Sequence, residues 1–266
     1  MQRYFSNEKE NDKFILNEND LYHIKVVMRM KKNDQIEVVY ENKLFICELD
    51  DEYHPIIKKE VNSILTKKTK YVLCVPLLQE QKMSFVLQKA TELGIDEIIP
   101  IITTRSVVKI NDKEEKKLLR WHKICKEASE QSKRLDIPVI HNITNIENLS
   151  ETGLKIICST KEKENTIKKV LQNNKNYDRI VFVIGPEGGL TDLEEDTLQK
   201  IGFVPTSLGE NIMRVETVPI YMLSVLNYET MEWYYGYFVF NYIRNISYSI
   251  SDSIDCFKTQ KNRTDN

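Results

Sequence analysis

The segment RIVFVIGPEGGLTDLEEDTLQKIGF, residues 179 to 203, joins a short apolar run to a glycine-rich loop and an amphipathic stretch. The run RIVFVIG has the length and the β-branched content of a buried strand. Thr191 followed by Glu194 is a capping-box pattern, which predicts that a helix begins just after the loop. A strand, a loop and a helix in this order are typical of an α/β fold with a parallel sheet.

The same alternation extends back along the chain to Tyr71. The apolar run YVLCVPLL precedes KMSFVLQKATELG, whose apolar residues recur with helical spacing and whose Gly94 is the predicted helix stop. The run DEIIPII, a long charged helix pattern and the run LKIICST follow in turn. Because continuous apolar runs alternate with helices, we predict a parallel sheet covered by helices on both faces.

The first 68 residues have a different pattern. Two short alternating runs, QIEVVY and LFICEL, flank Glu41-Asn42-Lys43, which suits a hairpin turn. A helix-like piece, NDLYHIKVVMRM, precedes them. We predict a small strand-rich barrel here, joined to the α/β part by the polar segment TKKTK.

The composition narrows the class of protein. Of 266 residues, 41% are hydrophobic and 29% charged, and the net charge is -2, which is ordinary for a globular protein and gives no overall attraction for nucleic acid. The five cysteines are far apart and the four histidines have no metal-ligand spacing, so we expect reduced thiols and no metal site. No apolar run reaches the ~18 residues that span a bilayer. We expect a cytoplasmic protein without a membrane partner.

The glycine-rich loop lacks the G-x-G-x-x-G and G-K-[ST] spacings of pyrophosphate and triphosphate sites. Its own capping box occupies the amino end of the following helix, and Glu187, Asp192 and Glu195 add negative charge there. Such a loop favours a cationic ligand over an anionic one. The alternative that its glycines only permit a tight turn stays open.

A second glycine loop, Leu208-Gly209-Glu210-Asn211, follows about twenty residues later. After it comes a helix that is apolar on nearly every face and must therefore be buried. Arg214 and Glu216 lie between this loop and the helix. A lone arginine usually forms a surface ion pair, but beside two glycine loops Arg214 becomes the best catalytic candidate.

Four motifs follow one another along the chain: ATELGIDEIIPIITTRS, RWHKICKEASEQSKRLDIP, IGPEGGLTDLE and LGENIMRVET. Together and in this order they resemble the RsmE-type methyltransferases of the SPOUT class. Enzymes of this family methylate N3 of a uridine in the 16S RNA of the bacterial small ribosomal subunit. The resemblance covers residue 1 to about residue 230, including RYF and HIKVVMRMKK near the start.

The resemblance implies three parts of the chain. Residues 1 to 68 would form a PUA-like RNA-binding β-barrel, and residues 69 to 230 a SPOUT methyltransferase domain with a deep trefoil knot. The family is homodimeric, with its active site near the subunit interface. Residues 231 to 266 lie outside the resemblance, and we predict a weakly ordered extension of unknown role.

The resemblance also implies the site. S-adenosylmethionine would be the methyl donor, Arg214 would stabilise the negative charge that forms as uridine N3 loses its proton, and Glu216 would orient that arginine or accept the proton. Arg3, Arg29 and Arg134, which lie in matching motifs, would contact RNA. The donor would contact Ser159, Thr160, Ile184, Gly185, Glu187, Gly188, Gly189, Leu208, Gly209, Ile212 and Met213.

One departure from the family pattern leaves a second interpretation open. Where the family usually has a threonine after the arginine, this chain has Val215, so a hydroxyl is missing. A non-catalytic RNA-binding protein with the same fold is therefore the alternative. A nucleotide-binding α/β enzyme is a third, which the acidic loop disfavours.

Overall fold

The computed structural model describes residues 1–61, 69–106, 108, 114–174 and 177–230. Residues Met1–Val225 form one compact unit, and a second unit begins at Leu226. The predicted extension over residues 231 to 266 lies outside the described residues, as does most of the predicted linker. None of the helices described is both long and apolar enough to cross a bilayer.

The amino-terminal part is built on a six-stranded sheet with the order β1-β4-β5-β6-β3-β2. Its strands are β1 (Arg3–Phe5), β2 (Glu8–Glu10), β3 (Lys13–Ile15), β4 (Gln35–Tyr40), β5 (Lys43–Leu49) and β6 (Pro55–Val61). Neighbouring strands are antiparallel except for β1 and β4, which are parallel. The core of this sheet consists of Tyr4, Phe14, Leu16, Ile24, Ile36, Val38, Phe45, Cys47 and Leu49.

The predicted hairpin between β4 and β5 is confirmed. Glu41 and Asn42 have φ values of 49° and 60°, as a two-residue turn of the type that matches strand twist requires. The strands β1, β2 and β3 were not predicted, because runs of three residues are too short to show an alternating pattern.

A second sheet contains only parallel pairs, as predicted. Its strands are β7 (Lys70–Pro76), β8 (Glu97–Ile102), β9 (Val139–Ile140), β10 (Thr144–Asn145), β11 (Leu154–Cys158), β12 (Arg179–Val183) and β13 (Val204–Thr206). The order is β10-β8-β7-β12-β11-β13, and β9 also pairs with β8. The short strands β9 and β10 were missed for the same reason as β1 to β3.

Six α-helices complete the described fold. They are α1 (Glu18–Tyr22), α2 (Glu80–Glu92), α3 (Glu114–Gln131), α4 (Ile167–Asn173), α5 (Asp192–Lys200) and α6 (Val218–Thr230). A π-helical turn, His23–Val27, continues α1, and a 3-10 turn, Ile146–Asn148, follows β10. Gly94 ends α2 with φ of 83°, as predicted.

The parallel sheet is buried on both faces. Residues 71 to 76 of β7 are all buried, and successive strand residues point to opposite faces. Along the strand order, the connection from β7 leads to β8 in one direction, whereas the connection from β12 leads to β13 in the opposite direction. The carboxyl ends of β7 and β12 therefore border the crevice where open α/β sheets bind ligands.

An ion-pair cluster joins three strands at the opposite, amino-terminal edge of this sheet. Arg179 donates to the Glu97 carboxylate at 2.5 and 3.0 Å and also to Glu151. His141 Nε2 lies 2.8 Å from Glu97 Oε2. The hydrogen bonds from Arg179 lower the pKa of the Glu97 carboxyl to about 2, against its ordinary value of 4.5.

We expect Glu97→Gln to lower the free energy of unfolding by about 1 to 2 kcal/mol at pH 7, a range that allows for solvent screening. Because the folded pKa is depressed, this contribution is fully present above pH 4.5 and is lost as the pH falls toward 2. Urea denaturation from pH 7 to pH 3 measures it. The wild-type and variant curves should converge with acid.

The matched control is Glu60→Gln. Glu60 pairs with Lys43 at 3.6 Å, and both side chains are at least half exposed. Its loss should cost less than about 0.5 kcal/mol. Equal effects of the two substitutions would contradict a special role for the cluster.

Candidate functional site

A cleft of about 510 Å³ lies at the carboxyl ends of the parallel strands. It is bordered by segments that follow β8, β11 and β12, by the start of α2 and by the segment before α6. Its lining residues are Lys82, Arg105, Cys158, Thr160, Lys161, Ile184, Gly185, Pro186, Glu187, Gly188, Gly189, Leu190, Glu195, Ile212, Met213, Arg214, Val215, Glu216 and Val218.

The glycine loop, residues 184 to 190, folds tightly over the end of β12. A Cβ at Gly185 would lie 2.9 Å from the backbone nitrogen of Leu190, which no real side chain tolerates. Gly189 has φ of 68°, and its N–H donates to the Pro186 carbonyl at 2.8 Å. Two glycines are thus required by geometry, one for close approach and one for a left-handed conformation.

Glu194 fastens this loop to the segment after β8. Its Oε2 accepts the Thr191 N–H at 2.8 Å, which completes the predicted capping box, and its Oε1 accepts the Thr104 N–H at 2.7 Å. Burial alone would raise the pKa of Glu194, but these backbone hydrogen bonds outweigh it and lower the pKa. A buried carboxylate thus stays ionised and bonds to both loops.

The predicted acidic rim is neutralised by lysines. Lys82 Nζ lies 2.6 Å from Glu187, and Lys161 Nζ lies 2.6 Å from Asp192 and 3.4 Å from Glu195. The hydrogen bond from Lys82 lowers the pKa of Glu187. The cleft lining holds four basic and three acidic side chains, so the negative charge predicted at this loop is present but is compensated by lysines from other segments.

The segment before α6 carries the two predicted catalytic residues. Arg214 is exposed, and its guanidinium has no hydrogen-bond or ion-pair partner in the described part of the chain. The Glu216 Oε2 atom is buried and also lacks a partner among the described residues. Val215, between them, is buried. Among the described residues, this segment thus brings to the cleft an unpaired guanidinium and, two positions later, an acceptor oxygen without a partner.

Most residues predicted to contact a donor line this cleft, but three do not. Ser159 is buried beneath it and accepts the Lys161 N–H at 3.2 Å. Leu208 and Gly209 belong to the second glycine loop but are absent from the lining, although Gly209 has φ of 134°. The predicted donor contacts did not include Lys82, Arg105 and several other lining residues. Arg105 lies just after β8, which is a usable signal, whereas Lys82 lies in the first turn of α2 and has none.

The arginines predicted to contact RNA differ in how exposed their guanidinium groups are and in the partners that these groups have. Arg3 is 5% exposed, and its guanidinium donates to Glu37 and to the carbonyl oxygens of Lys133 and Arg134. Arg134 donates in turn to Asp136 at 2.8 Å. These hydrogen bonds join β1 to the segment that follows α3 and leave little of Arg3 accessible. Arg29 is exposed and its guanidinium has no partner in the described ranges.

No group of three or more His, Cys, Asp or Glu side chains that could hold a metal is found in the ranges described. Cys158 lines the cleft, and burial raises the pKa of its thiol. Cys158 therefore adds a neutral group to the lining of the cleft.

The family described as RNA methyltransferase domain matches residues 66–227 of this sequence. The ribosomal RNA small subunit methyltransferase E of Mesomycoplasma hyopneumoniae is 35% identical over 230 residues, covering 84% of this chain and 98% of the relative. The chain belongs to this methyltransferase family. The Bacillus subtilis protein of the same name is 32% identical over 252 residues, covering 86% of this chain and 97% of that relative.

A solved structure of this family also has the same fold. The ribosomal RNA small subunit methyltransferase E of Neisseria gonorrhoeae, bound to S-adenosyl methionine, matches with a TM-score of 0.75 at 26% identity. The match covers 85% of this chain and 97% of that one. The mixed α/β architecture with a parallel sheet is therefore the architecture of the family.

We expect Glu194→Gln to lower the free energy of unfolding by about 1 to 2 kcal/mol, since an amide cannot accept hydrogen bonds through both ends. Asp196→Asn is the matched control, because this residue lies exposed on the same helix and should change stability by less than about 0.5 kcal/mol. Guanidinium denaturation measures both. Equal stability of the two variants would contradict the bridging role of Glu194.

Proposed function

We propose that this protein transfers a methyl group from S-adenosylmethionine to N3 of a uridine in 16S ribosomal RNA. Membership of the family supports the reaction class, and the observation that carries the chemistry is the unpaired guanidinium of Arg214 at the cleft. An exposed cation and a buried acceptor on one segment, both without partners in the part of the chain that the structure describes, form an arrangement that a reacting base with developing charge would complete.

The cleft fits the proposed donor on three observations. Its volume of about 510 Å³ is within the range of about 300 to 1,000 Å³ typical of small-molecule sites. Glycines 185 and 189 keep side chains away from the main chain, so that backbone groups can contact adenosine. The paired charges leave the lining close to neutral, which tolerates a sulfonium.

Within this proposal, the donor is held by the glycine loop and by the walls on either side of it. Ile184, Gly185 and Gly188 supply one wall, and Ile212 and Met213 supply the other. S-adenosylmethionine, when bound, supplies a methyl group activated by its sulfonium. The main contribution of the protein is to hold the acceptor in line with that group, because positioning provides much of the rate in such transfers.

The acceptor atom explains why an arginine is needed. Uridine N3 carries a proton on the Watson–Crick edge, so the base must be unpaired before it reacts. As the proton leaves, negative charge spreads from N3 to the neighbouring carbonyl oxygens. Arg214 donates hydrogen bonds to that charge, and Glu216, whose buried oxygen lacks a partner among the described residues, accepts the proton or orients the arginine.

We also propose how the chain folds into domains and how it assembles. Residues 1 to 68 form a PUA-like barrel that binds RNA, and residues 69 to 230 form a SPOUT domain with a trefoil knot. The protein acts as a homodimer on the small ribosomal subunit. The exposed guanidinium of Arg29 and the basic residues beside it support an RNA surface on the first part.

The direct test is incubation of the purified protein with small ribosomal subunits and donor labelled in its methyl group. We expect label in 16S RNA at one uridine, located as a new arrest of reverse transcriptase, because a methyl group at N3 blocks base pairing. Subunits from a strain that lacks the gene provide the unmodified substrate. Donor binding without label in RNA would favour the non-catalytic RNA-binding alternative.

We expect Arg214→Ala to lower kcat by at least about a hundredfold, the usual loss for a group that stabilises developing charge. The affinity for S-adenosylhomocysteine, measured by calorimetry, should stay within about twofold of wild type. Arg214→Lys retains the charge but not the planar donors and should recover only part of the rate. A parallel loss of donor affinity and turnover would refute the assigned role.

A further inference from the structure

The loop that follows β8 contains an arginine with no role in the mechanism above. Arg105 is exposed at the edge of the cleft, and its Nη1 donates hydrogen bonds to the carbonyl oxygens of Gly188 at 2.7 Å and Leu190 at 3.5 Å. One guanidinium nitrogen thus connects two carbonyl groups in the part of the glycine loop that leads into α5.

The stem of Arg105 also occupies the space beside Gly188. A Cβ at Gly188 would lie 3.2 Å from Arg105 Cδ and 3.4 Å from its Cβ, which is closer than ordinary carbon contacts of about 3.5 to 4.0 Å. Gly188 does not have the positive φ of Gly189. A side chain at position 188 would therefore crowd the stem of Arg105, whereas the backbone conformation there would allow it.

The two carbonyl groups that Arg105 holds flank the left-handed residue of the loop. Gly189 has φ of 68°, and its own N–H is bonded to the Pro186 carbonyl at 2.8 Å. Glycine-rich segments have more conformations to lose on ordering than other segments do. Hydrogen bonds that fix the loop before a ligand arrives reduce the cost of binding.

The hydrogen bonds of Arg105 indicate its role. Its Nη1 bonds to two carbonyl oxygens of the glycine loop, so these hydrogen bonds act on the shape of the loop. We propose that Arg105 is a positioning residue that holds the glycine loop in the shape that binds the methyl donor. This inference rests on the proposed function, since it concerns the donor side of the same cleft.

Two substitutions separate the stem from the hydrogen bonds. Arg105→Met keeps an apolar stem beside Gly188 and removes every donor, whereas Arg105→Lys keeps the stem and one charged donor. The control is Arg120→Met, because Arg120 is exposed on α3, pairs with Glu80 at 3.1 Å and does not line the cleft.

We expect Arg105→Met to weaken binding of S-adenosylhomocysteine about tenfold, as for the loss of one charge-assisted hydrogen bond. The KM for the donor should rise similarly, while kcat at saturating donor stays within about twofold. Arg105→Lys should recover most of the affinity, and Arg120→Met should match wild type. Calorimetry and methyl-transfer kinetics provide these values, with the unfolding midpoint measured for every variant.

Three results would overturn the inference. Donor affinity unchanged in Arg105→Met would remove the positioning role. If Arg105→Met weakened only RNA binding, and if the salt dependence of that binding fell by the equivalent of about one phosphate contact, Arg105 would be an RNA ligand instead. A fall in the unfolding midpoint that accounts for the lost affinity, without recovery in the lysine variant, would make it structural. Wild-type protein that binds no S-adenosylhomocysteine would overturn the proposed function itself.

Discussion

The candidate site depends on one buried carboxylate. Glu194 accepts hydrogen bonds from the N–H groups of Thr104 and Thr191, and so joins the segment after β8 to the start of α5. A charge in this position is stable only while its hydrogen bonds are made. Because the same carboxylate caps the helix, it also occupies the end of α5 that would otherwise bind an anion. One interaction thus shapes the cleft and limits which ligands it accepts.

The two edges of the parallel sheet have different roles. At the amino-terminal edge, Arg179 joins Glu97 and Glu151 in a cluster whose charges are all paired. At the carboxyl-terminal edge, Arg214 and Glu216 retain groups without partners among the described residues. A buried acceptor without a partner costs stability, so the Glu216 oxygen marks a position at this edge that a bound ligand could complete.

The sequence predicted the features that depend on neighbours along the chain. Strands β4, β5, β7 and β12, the hairpin turn and the helix cap follow from short-range patterns and were found as predicted. What it did not predict depends on contacts across the fold. Glu187 lies 105 residues from Lys82, and Arg3 lies 130 residues from Lys133, whose carbonyl oxygen it binds. No local pattern shows that an acidic loop has lysine partners or that a basic residue is buried.

The lysine–carboxylate pairs of the cleft matter because the two proposed ligands, a sulfonium donor and RNA, have opposite charges. A strongly acidic cleft would attract a sulfonium donor but repel the phosphates of RNA, and a strongly basic one would do the reverse. Lys82 and Lys161 neutralise the acids of the glycine loop and of α5, so neither ligand is repelled. Among the described residues, the guanidinium of Arg214 then has no partner and stays available to the acceptor base. A nearly neutral lining with such a guanidinium suits a reaction in which negative charge appears only on the base.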